Sequence, residues 1–99
     1  MLDIFLDYLI GASYKILTSY ESDNGGEKYF SYLESLSSDV MGAFKTFPDL
    51  QSNKHYIKVA NLVNYLMDAK IAHFKCRRLT FEIIAEIELA KFDFGGDLQ

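Results

Sequence analysis

His73 and Cys76 have the greatest potential for chemistry in this sequence, because they lie three positions apart in a stretch without glycine or proline. On a helix they would share one face, where they could supply half the ligands of a metal ion or a thiolate of lowered pKa. A zinc site needs two more ligands, but the chain has no second cysteine, and its other histidine, His55, lies about 27 Å away along a straight helix. We therefore expect a free, part-buried cysteine and no enzyme activity, metal site or cofactor.

A second candidate is a group of three glutamates, Glu82, Glu86 and Glu88. Glu82 and Glu86 would share a helix face at four-residue spacing. Metal sites in helical bundles combine such glutamates with Glu-x-x-His motifs from facing helices, and this sequence contains no such motif. These glutamates are therefore expected to form a solvated acidic face.

The basic residues gather in one short cluster. It comprises Lys70, Lys75, Arg77 and Arg78, with His73 and Tyr65 nearby. Such a cluster could contact phosphate, but four charges are few and the chain has a net charge of −4. Domains that bind nucleic acids usually carry a large basic patch, so we expect no direct binding of nucleic acid.

Charge is distributed unevenly along the chain. Residues 1–40 have a net charge of −5, residues 41–78 of +5 and residues 79–99 of −4. One interpretation is that a basic middle helix lies antiparallel between acidic neighbours and pairs with their edges. The other is that the acidic ends form a surface that attracts a basic partner.

Seven tyrosines are the remaining functional signal. Tyrosine is enriched at protein interfaces because its ring offers a large contact area and its hydroxyl tolerates water. Equally, each ring could lie at the edge of the core with its hydroxyl in solvent. If the rings bind a partner, the predicted contact residues are Tyr20, Glu21, Asp23, Glu27, Tyr29, Tyr32 and Glu34.

Length and composition favour a single cytoplasmic domain covering residues 1–99. A lone cysteine cannot form an internal disulfide, which is typical of a reducing compartment. The first residues carry acids where a secretory signal needs lysine or arginine, and no apolar run approaches the ~18 residues of a membrane span. We expect no association with a membrane.

Apolar residues at three- and four-residue steps predict four helices, over residues 2–21, 27–46, 52–78 and 81–92. In the second helix the predicted inward residues are Phe30, Leu33, Leu36, Val40, Met41 and Phe44, with a break near Ser37–Ser38. Ser52 is the predicted N-cap of the central helix, and a turn at Leu79–Thr80 is predicted to end it. Residues 81–89 also alternate as a strand would, and a strand there would pair between two copies of the chain.

The predicted fold is an all-α, compact, four-helix antiparallel bundle. The leading functional hypothesis is a protein-binding module, an inhibitor of the immunity-protein or antitoxin type that covers a basic toxin or nuclease. The alternative is a self-assembling helical subunit, a homodimer with residues 79–89 at the interface. A third hypothesis is a small regulator or enzyme that uses His73 and Cys76.

Overall fold

Four α-helices dominate the computed structural model, which describes residues 1–23, 27–68 and 73–96. The helices are α1 (Leu2–Asp23), α2 (Glu27–Thr46), α3 (Lys54–Leu66) and α4 (His73–Lys91). A 3-10 turn (Pro48–Ser52) joins α2 to α3, and a π-helical turn (Phe92–Gly96) follows α4. No strand occurs in these three ranges, so the all-α prediction is confirmed and the strand alternative for residues 81–89 is wrong.

Hydrogen bonds between helix ends show that neighbouring helices are antiparallel. The Tyr8 hydroxyl, near the start of α1, lies 2.7 Å from the Asp39 carboxylate, near the end of α2. Lys91, at the end of α4, donates to Asp7 at 2.6 Å. Since α2 also packs against α3 and α3 against α4, the helices form a closed up-down-up-down ring.

The core lies inside this ring and takes one face from each helix. Its fully buried side chains recur at three- and four-residue steps, which is the period of a helix face. They include Leu6, Leu9, Ile16, Leu33, Leu36, Val40, Tyr56, Val59, Val63, Ile83 and Ile87. Each buried side chain of this size contributes about 1.5–3 kcal/mol through removal of apolar surface from water.

The predicted inward face of α2 is only partly correct. Leu33, Leu36 and Val40 are buried, but Phe30 and Met41 have 41% and 46% of their surface exposed. Helical spacing sets both residues on the edge of the apolar face rather than at its centre. The predicted break at Ser37–Ser38 is also wrong, because α2 continues through both serines.

The predicted long central helix is wrong. α3 ends at Leu66, and α4 begins at His73 and continues through Leu79 and Thr80, where a turn was predicted. Thr80 does not cap a helix, because its buried hydroxyl donates to the Cys76 carbonyl at 2.8 Å, one turn earlier in α4. The chain therefore reverses direction between Leu66 and His73, a region whose residues 69–72 lie outside the described parts of the chain.

The start of α3 is fixed by Asn53 instead of the predicted Ser52. The Asn53 side chain accepts a hydrogen bond from the Tyr56 backbone N–H at 2.9 Å, which satisfies one of the free donors of the first turn. Ser52 belongs to the preceding 3-10 turn and donates to the Asp49 carbonyl. Phe47, before Pro48, has φ −127° and ψ 83°, outside the helical region, so the predicted end of α2 is confirmed.

Candidate protein-binding groove

A groove with a volume of about 540 Å³ runs between α1 and α2 on the outside of the bundle. Its lining residues are Tyr8, Gly11, Ala12, Lys15, Tyr32, Ser35, Leu36 and Asp39. Four residues come from each helix, so the packing of α1 against α2 determines the shape of the groove. We refer to this set as the α1–α2 groove.

Tyr8 and Asp39 bridge the groove at one end. The Tyr8 hydroxyl donates to the Asp39 carboxylate at 2.7 Å, although the tyrosine is 55% exposed. This hydrogen bond, together with the negative charge of the carboxylate, raises the pKa of Tyr8 above its usual value. The phenol therefore remains a neutral donor at physiological pH, and the carboxylate retains lone pairs for a second donor.

Lys15 and Tyr32 stand further along the groove, towards the other end of the hairpin. The Lys15 ammonium lies 5.4 Å from the centroid of the Tyr32 ring, a cation–π distance. One tyrosine of the groove, Tyr8, therefore donates a hydrogen bond to an acid, and the other, Tyr32, packs against a base. The two charges of the groove, on Lys15 and Asp39, compensate each other.

Small side chains keep the groove open. Gly11, Ala12 and Ser35 form part of its lining. A Cβ atom added at Gly11 would meet no other atom within 4 Å, so no neighbouring helix requires a glycine there. A glycine inside a helix lowers stability by about 1 kcal/mol relative to alanine. At Gly11 the missing side chain leaves an open space on the surface of the bundle.

The predicted contact residues are not all exposed. Tyr32 lines the groove and Glu34 is exposed on α2, but Tyr29 is buried in the core with 6% of its surface exposed. Tyr20 packs edge to face against Tyr29, with ring centroids 5.0 Å apart, and joins the end of α1 to the start of α2. The side chains of Glu21, Asp23 and Glu27 lie outside the described residues, so their role stays a prediction.

Tyr8, Gly11, Lys15 and Asp39 were not among the predicted contact residues. Three of them follow each other on α1 at three- and four-residue steps, which places them on one helix face. A glycine between two long side chains on one face was the available signal. The contribution of Asp39 could not be recognised, because it depends on which turn of α2 packs beside Tyr8.

Cys76 lies in the core and has 7% of its surface exposed. It neighbours the buried Tyr29 hydroxyl: burial, and then the Cys76 thiol, raise the pKa of Tyr29 above its usual value. The His73 side chain lies outside the described residues, so its predicted proximity to Cys76 stays a prediction. Within the described residues, no group of three or more metal-ligating side chains could hold a metal ion.

Glu86 is part of a polar network between α3 and α4, not of a solvated face as predicted. Its side chain is only 12% exposed and lies 2.8 Å from His55 Nδ1 and 3.4 Å from Lys58 Nζ. Lys58 also lies 3.8 Å from Glu82. The predicted pairing of basic and acidic edges is therefore confirmed where α3 meets α4.

Replacing Glu86 with glutamine is expected to destabilise the protein by about 1–2 kcal/mol at neutral pH, because it removes a charge-assisted acceptor from His55 and Lys58. Burial alone would raise the pKa of Glu86, but the hydrogen bonds from His55 and Lys58 outweigh it and hold that pKa below its ordinary value of 4.5. The ionised carboxylate therefore stabilises the fold above pH 4.5, and its contribution disappears as the pH falls through the lowered pKa.

Urea unfolding at neutral pH and in a series of acidic buffers tests this expectation. The difference between wild type and Glu86→Gln should shrink towards zero in acid, where Glu86 is itself protonated. Glu88→Gln is the matched control, because Glu88 is exposed two residues further along the same helix. Equal effects of the two substitutions at neutral pH would contradict a stabilising role for the network.

The predicted basic cluster is only partly described. Lys75, Arg77 and Arg78 are exposed on the first turns of α4, and the Arg77 guanidinium lies 5.7 Å from the centroid of the Phe81 ring. The side chains of Lys70 and His73 lie outside the described residues.

No helix in the described ranges combines the length and hydropathy that crossing a membrane requires. Comparisons with protein families, with curated proteins and with solved structures find no match to this chain.

Proposed function

We propose that this protein is a protein-binding module that occupies the surface of a basic partner protein through the α1–α2 groove. The most concrete form is an inhibitor of the immunity-protein or antitoxin type. The observation that carries the proposal is an open groove with a tyrosine at each of two positions, on a helical hairpin with an excess of negative charge. Clefts that combine aromatic walls with a few placed polar groups are the usual form of a binding site.

The groove offers two kinds of contact to a protruding side chain of a partner. The rings of Tyr8 and Tyr32 provide rigid apolar area that loses little conformational entropy on binding. The Asp39 carboxylate accepts from Tyr8 and has further lone pairs for a guanidinium or ammonium group. Gly11 leaves room for that side chain to lie against the backbone of α1.

Charge supports a basic partner over an acidic one. The net charge of −5 on residues 1–40 attracts a cationic surface over distances of about 10 Å at moderate ionic strength. Such attraction raises the association rate more than the final affinity, because Asp39 alone among the described acids of this segment lines the groove. Binding should therefore weaken with added salt, mainly through slower association.

Replacing Gly11 with leucine is expected to reduce partner binding at least tenfold, because the new side chain occupies the space that a partner would fill. Gly42→Leu is the matched control. A Cβ atom at Gly42 also meets nothing within 4 Å, and Gly42 lies inside α2 without lining the groove. Both substitutions should stabilise their helices by about 0.5–1 kcal/mol, so neither should lose binding through unfolding.

The measurement is capture from extracts of the cells that make the protein, with the wild type and both leucine variants immobilised at equal density. A basic protein that is retained by the wild type and Gly42→Leu, and lost with Gly11→Leu, is the expected result. Equal retention by the two variants would exclude the groove as the contact site. Absence of any protein enriched over blank resin would count against the binding function itself.

A further inference from the structure

The outer face of α4 carries an apolar stripe that faces away from the core. Phe81, Leu89 and Phe92 have 44%, 46% and 60% of their surface exposed, and Ala85 between them is also exposed. Phe81, Ala85 and Leu89 follow each other at four-residue steps, and Phe92 lies three residues further on, so all four lie on one face. We refer to these four residues as the α4 stripe.

This stripe differs from the self-interface predicted for residues 79–89. Within that range Leu79, Ile83, Ile84 and Ile87 are buried in the core of the same chain and are not available to a second copy. The opposite face of the helix is exposed. An exposed row of apolar side chains that includes two phenylalanines and a leucine is unusual on a monomer surface and is typical of an interaction site.

We propose that the α4 stripe is a self-interface at which two copies of this chain pair antiparallel along α4. When Phe81 of one copy lies opposite Ala85 of the other, each large ring meets a small residue, as close packing of two helices requires. The two-fold axis then repeats this contact, since each copy supplies both residues.

Charges that flank the contact between Phe81 and Ala85 favour this antiparallel pairing. In the same register, Arg78 of one copy comes opposite Glu88 of the other, and both residues are exposed. The two-fold axis generates two such pairs in each dimer. A parallel arrangement would instead bring each arginine beside an arginine and each glutamate beside a glutamate, which costs free energy. Charge complementarity thus selects a second copy of this chain, in one orientation, as the occupant of the stripe.

The proposed dimer leaves the α1–α2 groove accessible, because no residue of α4 lines it. Self-association and partner binding are therefore independent, and either can fail without the other. The interface is small, because in this register only Phe81 and Ala85 of each copy face each other directly, so we expect a weak dimer that dissociates in the micromolar range.

Sedimentation equilibrium over a concentration series from low to high micromolar tests the proposal. The average mass should rise from the monomer value of 11.4 kDa towards twice that value. Arg78→Glu and Glu88→Arg should each weaken dimerisation about tenfold or more, because each places like charges opposite one another twice per dimer. The double variant, which exchanges the two charges, should restore dimerisation to near the wild-type level.

A glutamate introduced at an exposed apolar residue elsewhere distinguishes a specific α4 interface from non-specific hydrophobic association. Ala85→Glu should abolish dimerisation, because it places a charge against Phe81 of the other copy, whereas Ile57→Glu, at an exposed apolar residue of α3, should leave it unchanged. All of these residues are exposed, and circular dichroism confirms that each variant is folded. A protein that stays monomeric throughout the series would overturn the proposal. So would a dimer that is insensitive to Ala85→Glu, or single charge variants that the double variant does not rescue.

Discussion

Leu33→Ala should lower the free energy of unfolding by about 3 kcal/mol. Leu33 is fully buried in α2, inside the ring of four helices, so alanine leaves a cavity that the close-packed neighbours cannot fill. The loss combines the transfer free energy of the removed methyl and methylene groups with the cost of the cavity. Urea unfolding followed by circular dichroism measures the difference, which is a large fraction of the stability of a small domain.

Met41→Ala is the matched control for Leu33→Ala on the same helix. Met41 is 46% exposed, and its removal should change the free energy of unfolding by less than about 0.5 kcal/mol. The spacing of apolar residues predicted that both side chains point inward. Similar losses for the two variants would show that α2 is rotated relative to its position in the structure.

The contrast between Leu33 and Met41 shows how far periodicity alone can predict the core. An apolar stripe indicates which face of a helix is buried, and for Leu33, Leu36 and Val40 that indication was correct. It does not indicate where the buried face ends, because an edge residue is covered only if the neighbouring helix reaches it. The positions of α1 and α3 beside α2 decide this, and no pattern within α2 contains them.

The boundary between α3 and α4 was not predictable for a different reason. Glycine and proline are the strongest signals for a turn, and the segment from Ser52 to Phe94 contains neither. The apolar faces of α3 and α4 are both buried in the same core, and this requires the chain to reverse direction after Leu66. Threonine favours helix starts, so the sequence predicts Thr80 as a cap, but inside α4 its hydroxyl donates to a carbonyl one turn back.

The residues of the groove could be predicted only in part. Tyrosines in an acidic hairpin were a usable signal, and Tyr32 does line the groove. The same signal predicts Tyr29 as a contact residue, but Tyr29 is buried. Residue type alone does not distinguish a tyrosine at an interface from one in a core, because the same ring suits both places. Tyr8 and Asp39 enter the site only because antiparallel packing brings them together.

Phe81→Pro should destabilise the protein by at least about 3 kcal/mol relative to Phe81→Ala, which removes the same ring. Phe81 lies inside α4, where its backbone N–H belongs to the helical hydrogen-bond ladder and the proline ring would collide with the preceding turn. A turn at Leu79–Thr80 would instead make Phe81 the first residue of a helix, where proline is tolerated. The substitution therefore separates a continuous α4 from the arrangement that the sequence predicted.

Lys54→Pro is the second control, because Lys54 is the first residue of α3 and follows the cap residue Asn53. Asn53 has φ −89° and ψ 115°, the extended geometry that a residue before proline prefers, so this variant should lose less than about 0.5 kcal/mol. Urea unfolding of all three variants at low micromolar concentration keeps self-association from contributing. If Phe81→Pro cost no more than Lys54→Pro, α4 would begin near Phe81. The α4 stripe would then lack the unbroken helix that aligns Arg78 with Phe81, Ala85 and Leu89.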